Sequence, residues 1–409
     1  MIHFKSILKA GVAAALLAAT PALVTEALAQ DVKIGALFEV TGPIASFVPP
    51  ILNAAKLAET QVNAQGGILN GRQVRLVVVD GQGSPQGAVD AATKLVNVEN
   101  VAMIVGPLMS GSLIAAANSV TIPAGTAILS PSATSPAITD LKDNDTVFRV
   151  APSDAYQGVV LAKMVMDRGI KTVALTFVNN DYAVGLAGTF RKAYLALGGT
   201  IAADQVHEAK KTSFRAELAT LASKKPQALV VIAMADDTGV TVIKQALEGG
   251  FFDTFIGTDG LKGDITVKEI GADNLKKSFF SSPSTVAGAA SAKFTADYTA
   301  AYKDGADKLF VTQSYDVAFL AALAVQAAGS TDKAAVKAAL RKISAPGGET
   351  ILPGEWKKAV DALKAGKAIT YQGAGGPTAF DAAGDVAGVI GEFVVEGAAF
   401  KQIKVHAPN

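Results

Sequence analysis

The chain has 409 residues, is 50% hydrophobic, and carries 37 basic and 36 acidic side chains. Such a balanced charge argues against a nucleic acid or an anionic membrane surface as partner, because both require a concentrated basic field. The absence of cysteine excludes disulfides, thiolate metal sites, lipid attachment to cysteine and cysteine nucleophiles.

Residues 1–29 have the features of a cleaved secretory signal. Lys5 and Lys9 flank the start of the segment, the apolar run AGVAAALLAATPALV follows, and small residues end it at Ala27 and Ala29. The apolar run is too short for a typical membrane span. We expect cleavage after Ala29 and an unanchored periplasmic protein; the alternative is an N-terminal anchor helix.

Strand and helix patterns alternate from residue 32 to residue 132. Apolar runs of strand length occupy 32–40, 74–80, 102–106 and 126–132, and helical patterns lie near 47–64, 86–98 and 111–120. Continuous apolar runs indicate strands that are buried on both faces, and their alternation with helices indicates a parallel sheet.

The same alternation then restarts. Strand patterns occupy 171–178, 199–209, 227–234 and 254–260, with helical patterns near 156–168, 183–197, 213–223 and 238–248. Further elements follow at 278–284, 291–303 and 313–328, and the strand-like runs VIGEFVV and AFKQIKV close the chain. Two similar α/β units are the natural interpretation.

We therefore predict an α/β protein with two Rossmann-like lobes, parallel sheets and a three-strand hinge. The candidate crossings are 148–154, 279–284 and 385–392, each of which mixes extended residues with proline or glycine. Lobe 1 would comprise 30–150 and 281–388, and lobe 2 would comprise 151–280 and 389–409. The Gly/Pro-rich stretch 346–377 has no predicted role.

Catalytic chemistry has little support in the sequence. Beyond the signal only His207 and His406 supply imidazoles, and no metalloprotease, nucleophile-elbow or dinucleotide motif occurs in a suitable setting. The pair Asp236–Asp237 lies at a strand-to-helix turn, where aspartate commonly caps a helix. We predict no catalytic residue, no cofactor-binding residue and no metal site.

Polar loops at the ends of the predicted strands carry the binding hypothesis, because open α/β sheets bind ligands there. The loop GPLMSGS resembles a phosphate loop without its lysine, and it contains Ser110. The following loop, SPSATSP, contains Ser132 and Thr134. Hydroxyls and free backbone N–H groups without a lysine suit a singly charged carboxylate. The alternative is ordinary helix capping.

Asp259 lies at a strand end in the second half of the chain and could receive an ammonium group. Hydroxyls in one lobe and an acid in the other would together match a zwitterion. The alternative for Asp259 alone is a structural role in a turn.

Taken in order, a run of motifs resembles the Leu/Ile/Val-binding family, the periplasmic substrate-binding proteins of branched-chain amino acid ABC transporters. The motifs are VTGPIASF, VNAQGGILNGRQV, SPQGAVDAATKLV, IVGPLMSGS, ILSPSATSP, FRVAPSD, NDYAVG and FIGTDG, and the likeness covers essentially the whole chain after the signal. It implies the type I periplasmic binding protein fold.

Carried over by this resemblance, the α-carboxylate site falls on Ser110 and Thr134, with Ser132 contributing backbone. The ammonium acceptors are the Ser132 carbonyl, the Thr134 hydroxyl and the acid at Asp259. Family members also have glutamate at the position of Asp259.

The resemblance further places Tyr182 and Phe47 as aromatic walls of the ligand pocket. Ala235 stands where relatives often have an aromatic residue, so the side-chain pocket departs from the family pattern.

The function implied is capture of an amino acid with a branched-chain or other apolar side chain, and its delivery to inner-membrane ABC permease subunits by a monomer. The alternative is the same fold binding an aromatic acid, an amide or a urea-type ligand. An α/β hydrolase or oxidoreductase is the third hypothesis, disfavoured by the missing nucleophile, base and cofactor loop.

Overall fold

The computed structural model describes residues 30–408, so the predicted signal and its cleavage site after Ala29 lie outside the described residues. Within residues 30–408 no helix is both long and apolar enough to cross a membrane. The chain folds around two large sheets and one small sheet.

The first large sheet has five parallel strands in the order β2-β1-β3-β4-β5. They are β1 (Val32–Phe38), β2 (Val74–Asp80), β3 (Ile104–Val105), β4 (Ile128–Ser130) and β5 (Val147–Arg149). The sequence patterns for the first four are confirmed, with shorter β3 and β4. β5 overlaps the predicted crossing at 148–154, which therefore begins as the last strand of this sheet.

The second large sheet has seven strands in the order β14-β13-β10-β9-β8-β6-β7. They are β6 (Thr172–Val178), β7 (Thr200–His207), β8 (Ala228–Ile232), β9 (Phe255–Gly257), β10 (Phe279–Ser284), β13 (Val389–Glu396) and β14 (Ala399–His406). β13 is antiparallel to both of its neighbours. Only part of this sheet therefore has the parallel pairing predicted.

Helices connect the strands, as the alternating sequence pattern predicts. They are α1 (Val48–Ala64), α2 (Pro85–Thr93), α3 (Ser110–Ala116), α4 (Asp154–Asp167), α5 (Asp181–Ala196), α6 (Arg215–Ala222), α7 (Val240–Glu248), α8 (Asp264–Ile270), α9 (Ala289–Tyr302), α10 (Val311–Ala328), α11 (Lys333–Ser344) and α12 (Trp356–Lys364). The sequence patterns missed α8, α11 and α12.

The Gly/Pro-rich stretch 346–377 contains the small parallel sheet of β11 (Glu349–Ile351) and β12 (Ile369–Tyr371), with α12 between its strands. Trp356 at the start of α12 is fully buried, and its indole N–H donates to the Gly67 carbonyl at 2.9 Å. The stretch thus packs as structured chain against the first large sheet's core.

The described residues form three apolar cores. One combines residues within 32–151 with residues within 294–374, a second combines 160–280 with 390–395, and a third, smaller core lies within residues 37–147 of the first sheet region. The long helix α10 is buried almost throughout, in the first of these cores.

Polar contacts join the elements of the two large sheets. The Ser46 N–H, in the loop after β1, donates to Oδ2 of Asp236, in the turn after β8, at 2.8 Å. Lys308 reaches both carboxylate oxygens of Asp264 at 2.8 and 2.7 Å. Asp236 thus bonds across the gap between the sheets, whereas the sequence pattern suggested helix capping.

Candidate functional site

A mainly apolar cavity lies between the carboxyl ends of the strands of the two large sheets. Its lining residues are Ile44, Phe47, Ile51, Leu108, Met109, Ser110, Ser132, Tyr182, Met234, Asp259, Gly260, Leu309 and Phe310. The first seven follow strands of the first sheet, and the next four follow strands of the second. Leu309 and Phe310 come from the segment that enters α10.

Five of the six residues proposed from the sequence meet in this cavity. They are Phe47, Ser110, Ser132, Tyr182 and Asp259. Thr134 is buried but is not part of the lining. Its carbonyl accepts the Asp154 N–H at 2.9 Å. Ligand-binding roles for all six stay predictions.

Ser110 begins α3 and is buried at the edge of the cavity. Its Oγ accepts the Ser135 N–H at 3.1 Å. A hydroxyl has one proton to donate besides its lone pairs. Because that bond uses a lone pair, Ser110 can still donate its proton to an anion in the cavity.

The loop before Ser110 is held by two hydroxyls, one from the last residue of the neighbouring strand β4 and one from the loop that follows it. Ser130 Oγ donates to the Pro107 carbonyl at 2.6 Å, and Ser132 Oγ donates to the Leu108 carbonyl at 2.9 Å. Gly106 has φ +93°, and a Cβ there would lie 1.9 Å from the Leu37 carbonyl oxygen. Only glycine therefore fits where the loop leaves β3.

Asp259 presents one tied and one untied carboxylate oxygen. Its Oδ1 accepts the Gln157 side-chain amide at 2.8 Å and the Tyr182 hydroxyl at 2.9 Å. Among the side chains that the structure describes, none donates a hydrogen bond to its Oδ2. Burial raises the pKa of Asp259, while Gln157, Tyr182 and the charge of Lys262 lower it in part. The acid is thus oriented and able to accept one further donor.

Asp154 is a second buried acid beside Asp259. It is fully buried at the start of α4, and neither carboxylate oxygen has a hydrogen-bond partner among residues 30–408. Burial raises the pKa of Asp154 well above its ordinary value and the charge of Asp259 raises it further, whereas the Thr134 hydroxyl and the charge of Arg149 lower it. A buried acid without a partner is costly unless something neutralises it.

The nearest cations are engaged elsewhere. Arg149 pairs with Asp385, Nε to Oδ1 at 2.6 Å and Nη2 to Oδ2 at 2.8 Å. Lys262 lies over the ring of Phe393, 4.4 Å from its centroid, and burial lowers its pKa to about 8. Asp154 and Asp259 therefore lie together at one end of the site without a direct salt bridge, and burial favours the protonated form of Asp154.

Several site residues carried no clear sequence signal. Asp154 directly follows the helix-capping Ser153 and looks like an ordinary first-turn acid. Phe310 directly precedes α10, has a left-handed φ of +58°, and lines the cavity. Met109 follows Leu108 in the loop after β3, and Met234 ends the apolar run predicted as the strand 227–234. Only the position of each after a strand could have suggested them.

A family profile and a related protein each match most of this chain. The sequence profile described as periplasmic binding protein matches residues 31–385. The Leu/Ile/Val-binding protein BraC3 of Rhizobium johnstonii is 29% identical over 314 residues, which cover 76% of this chain and 83% of the relative.

Two solved structures share the fold. The branched-chain amino acid transporter substrate-binding protein LivJ of Streptococcus pneumoniae, in complex with isoleucine, has TM-score 0.78 and 27% identity, covering 92% of this chain and 100% of the other. A solute-binding protein of an ABC transporter from R. palustris, in complex with benzoate, has TM-score 0.74 and 20% identity, covering 92% and 97%. With a profile match over most of its length and the expected two-sheet architecture, the chain belongs to the periplasmic binding protein family.

Proposed function

We propose that this protein is a periplasmic solute-binding protein that captures an amino acid with an apolar side chain, of the branched-chain class, and delivers it to the permease of an ABC transporter. The proposal rests on one observation. The Ser110 hydroxyl, which can donate a proton, and Oδ2 of Asp259, which can accept one, both belong to the lining of the same mainly apolar cavity.

A donor at Ser110 and an acceptor at Asp259 match the two charged groups of a zwitterion. An α-carboxylate would accept from Ser110 and from loop N–H groups in the first half of the chain. An α-ammonium would donate to Asp259, beside the buried Asp154. Charge-assisted hydrogen bonds of this kind are the stronger ones in proteins.

The rest of the cavity supports an apolar side chain. Its walls include Ile44, Leu108, Met109, Met234 and Phe310, and these offer no charged partner. Methionines adapt their shape to a ligand more readily than branched or aromatic residues. Leucine, isoleucine and similar side chains would bury their surface here, as the relatives named Leu/Ile/Val-binding proteins and the isoleucine-bound LivJ suggest.

Ligand capture would work by hinge closure of two lobes with the boundaries predicted from the sequence. The contacts Ser46–Asp236 and Lys308–Asp264 bridge the elements of the two large sheets. A ligand that touches both lobes binds the closed form more tightly than the open form, and this difference drives closure.

The same proposal assigns the protein no catalytic role and places it in the periplasm after removal of residues 1–29. Membership of a periplasmic binding protein family supports both points. Delivery to permease subunits follows from the family's place in transport.

The second candidate is an aromatic acid, because a benzoate complex shares the fold. The acid in the cavity lining disfavours it. Benzoate has no ammonium to donate to Oδ2 of Asp259, so this buried acceptor would be left without the ligand donor that an amino acid supplies.

The test is calorimetric titration of L-isoleucine into Asp259→Ala and Asp259→Asn. Each variant should bind more weakly by about 2–5 kcal/mol, because the ligand ammonium loses its charged partner in a desolvated cavity. Asp237→Asn is the matched control: this acid accepts the Lys210 N–H at 2.7 Å in the same half of the chain and does not line the cavity. Wild-type affinity in Asp259→Ala would overturn the zwitterion site.

A further inference from the structure

Glu39 is a buried acid that the proposed ligand contacts do not use. It follows the last residue of β1 and is fully shielded from solvent. Its side chain forms no ion pair among residues 30–408. The sequence does not indicate that Glu39 is buried, because a single acid near the end of an apolar run is typical of a strand that ends at the surface.

The carboxylate of Glu39 accepts backbone N–H groups of the loop that leads to Ser110. Leu108 N–H donates to Oε2 at 2.8 Å, and Met109 N–H approaches Oε1 at 3.4 Å. Both donors belong to residues that line the cavity. Without Glu39 these two N–H groups would lose their acceptor.

The loop is therefore held from both of its neighbours in the sheet. β3 lies between β1 and β4. Hydroxyls of Ser130 and Ser132, at the end of β4, bind the loop carbonyls, and Glu39, at the end of β1, binds the loop N–H groups.

We propose that Glu39 is a positioning residue for ligand binding: its carboxylate fixes the loop 106–110 so that Ser110 and the adjacent backbone meet the ligand carboxylate. The role of Glu39 in ligand binding rests on the proposed function, whereas its contact with the loop does not. Glu39 itself touches only the loop and the groups that pack around it.

The groups around Glu39 carry no charge, so its titration can be followed through the amides that it binds. From β2 it faces Gly81, and from the loop and α3 it faces Leu108, Met109 and the nearby Ser112 hydroxyl. None of these groups carries a charge. Burial raises the pKa of Glu39 to about 7, against the lowering effect of the Leu108 N–H, the nearby Ser112 hydroxyl and the Met109 N–H.

The first experiment needs no ligand. In ¹⁵N-labelled protein, the Leu108 and Met109 amide resonances should move with pH in the wild type, with a midpoint near the pKa of Glu39, and should not move in Glu39→Gln. In Glu39→Ala the same amides should exchange with solvent about tenfold faster or more, because their acceptor is gone. Absence of both effects would overturn the contact.

The second experiment measures L-isoleucine affinity in the same proteins. Glu39→Ala should bind about tenfold more weakly or worse. Glu39→Gln keeps one acceptor oxygen for the Leu108 N–H and loses the charge and the longer contact to the Met109 N–H, so it should stay within about threefold of the wild type. Ile34→Val, in the core on the same strand, is the control for general weakening of β1.

The outcomes separate the two proposals. Full affinity in Glu39→Ala would overturn the positioning role. A wild type that fails to bind isoleucine would contradict the proposed function, and the amide measurements would then still decide whether Glu39 holds the loop. If Glu39→Ala does not fold, amide shifts that follow pH in the wild type but not in Glu39→Gln decide whether Glu39 holds the loop.

Discussion

The Tyr182 hydroxyl donates to Oδ1 of Asp259 at 2.9 Å and lies 2.8 Å from the Thr258 hydroxyl. The aromatic ring proposed as a pocket wall is therefore also a hydrogen-bond donor that orients the acid. Gln157 supplies the second donor to the same oxygen. Because both donors bind Oδ1, Oδ2 of Asp259 can accept a hydrogen bond from a ligand.

Tyr182→Phe should weaken L-isoleucine binding by about 1 kcal/mol or more, since it removes one hydrogen bond that favours the ionised acid. The ring and its packing are retained. Titration calorimetry would measure the change. Tyr194→Phe is the control, because the Tyr194 hydroxyl donates at 2.9 Å to the Ile170 carbonyl, away from the cavity lining. Equal affinity in both variants would show that Tyr182 acts only as a wall.

Ser110→Ala and Thr134→Ala should each weaken an amino-acid ligand by about 1.5–3 kcal/mol, the usual contribution of a hydrogen bond to a charged group. Fluorescence or calorimetric titration would give the affinities. Because Thr134 lies outside the cavity lining and beside Asp154, its variant tests whether a bound ligand reaches deeper than the free cavity.

Helix capping is the competing explanation for these hydroxyls, and Ser84→Ala controls for it. Ser84 caps α2 by accepting the Gly87 N–H at 3.1 Å and does not line the cavity. It should lose stability without losing affinity. Unchanged affinity in both Ser110→Ala and Thr134→Ala would mean that these hydroxyls serve the fold alone.

Asp236→Ala removes the bond from the Ser46 N–H across the gap between the sheets. We expect a loss of about 0.5–1.5 kcal/mol in ligand affinity, because the contact stabilises the closed form. Stopped-flow measurement should show this mainly as faster ligand release. Asp237→Ala, which removes a bond within one half of the chain, should leave the release rate unchanged. A slower or equal release from Asp236→Ala would contradict the closing role.

Asp316 provides a pH-dependent test of stability. Its carboxylate accepts the Tyr371 hydroxyl at 2.7 Å and the N–H groups of Ala374 and Gly375 at 2.7 and 2.8 Å, so it anchors the glycine-rich loop. Burial raises the pKa of Asp316 to about 7 against these three donors. The native state thus keeps a proton that the unfolded chain releases near its ordinary pKa of 3.8.

Because the native state binds more protons over this range, this group's contribution to the free energy of unfolding falls as pH rises from about 4 to about 7, by up to about 1.4 kcal/mol per pH unit, and is constant above. Asp316→Asn lacks the proton equilibrium. Urea unfolding at several pH values should therefore show the advantage of the wild type over the variant shrinking with rising pH. Parallel stability curves would contradict the assignment.

The alternating pattern predicted the strands and helices around the cavity because buried parallel strands leave continuous apolar runs. β1, β2 and β6 are such runs, and their boundaries shift by no more than a few residues. β11 and β12 were missed because three-residue strands among glycines and prolines leave no period to detect. The antiparallel β13 was predicted as a strand, but its direction depends on which neighbour it meets in the fold.

The candidate site divides in the same way. Ser110, Ser132 and Asp259 are polar residues at strand ends, where topology alone brings residues together. Glu39 and Asp154 are invisible from sequence because their distinguishing property is burial, which depends on how loops from distant segments close over them.

The central claim is that the cavity recognises a zwitterionic, apolar amino acid. It is tested most directly by calorimetric titration of the wild-type protein, freed of bound ligand by unfolding and refolding, with L-isoleucine and with benzoate under identical conditions. The account predicts saturable binding of isoleucine and no comparable binding of benzoate. Bound isoleucine should also raise the melting temperature in a thermal melt, because it binds the native state and not the unfolded chain. Binding of benzoate without binding of isoleucine would contradict it.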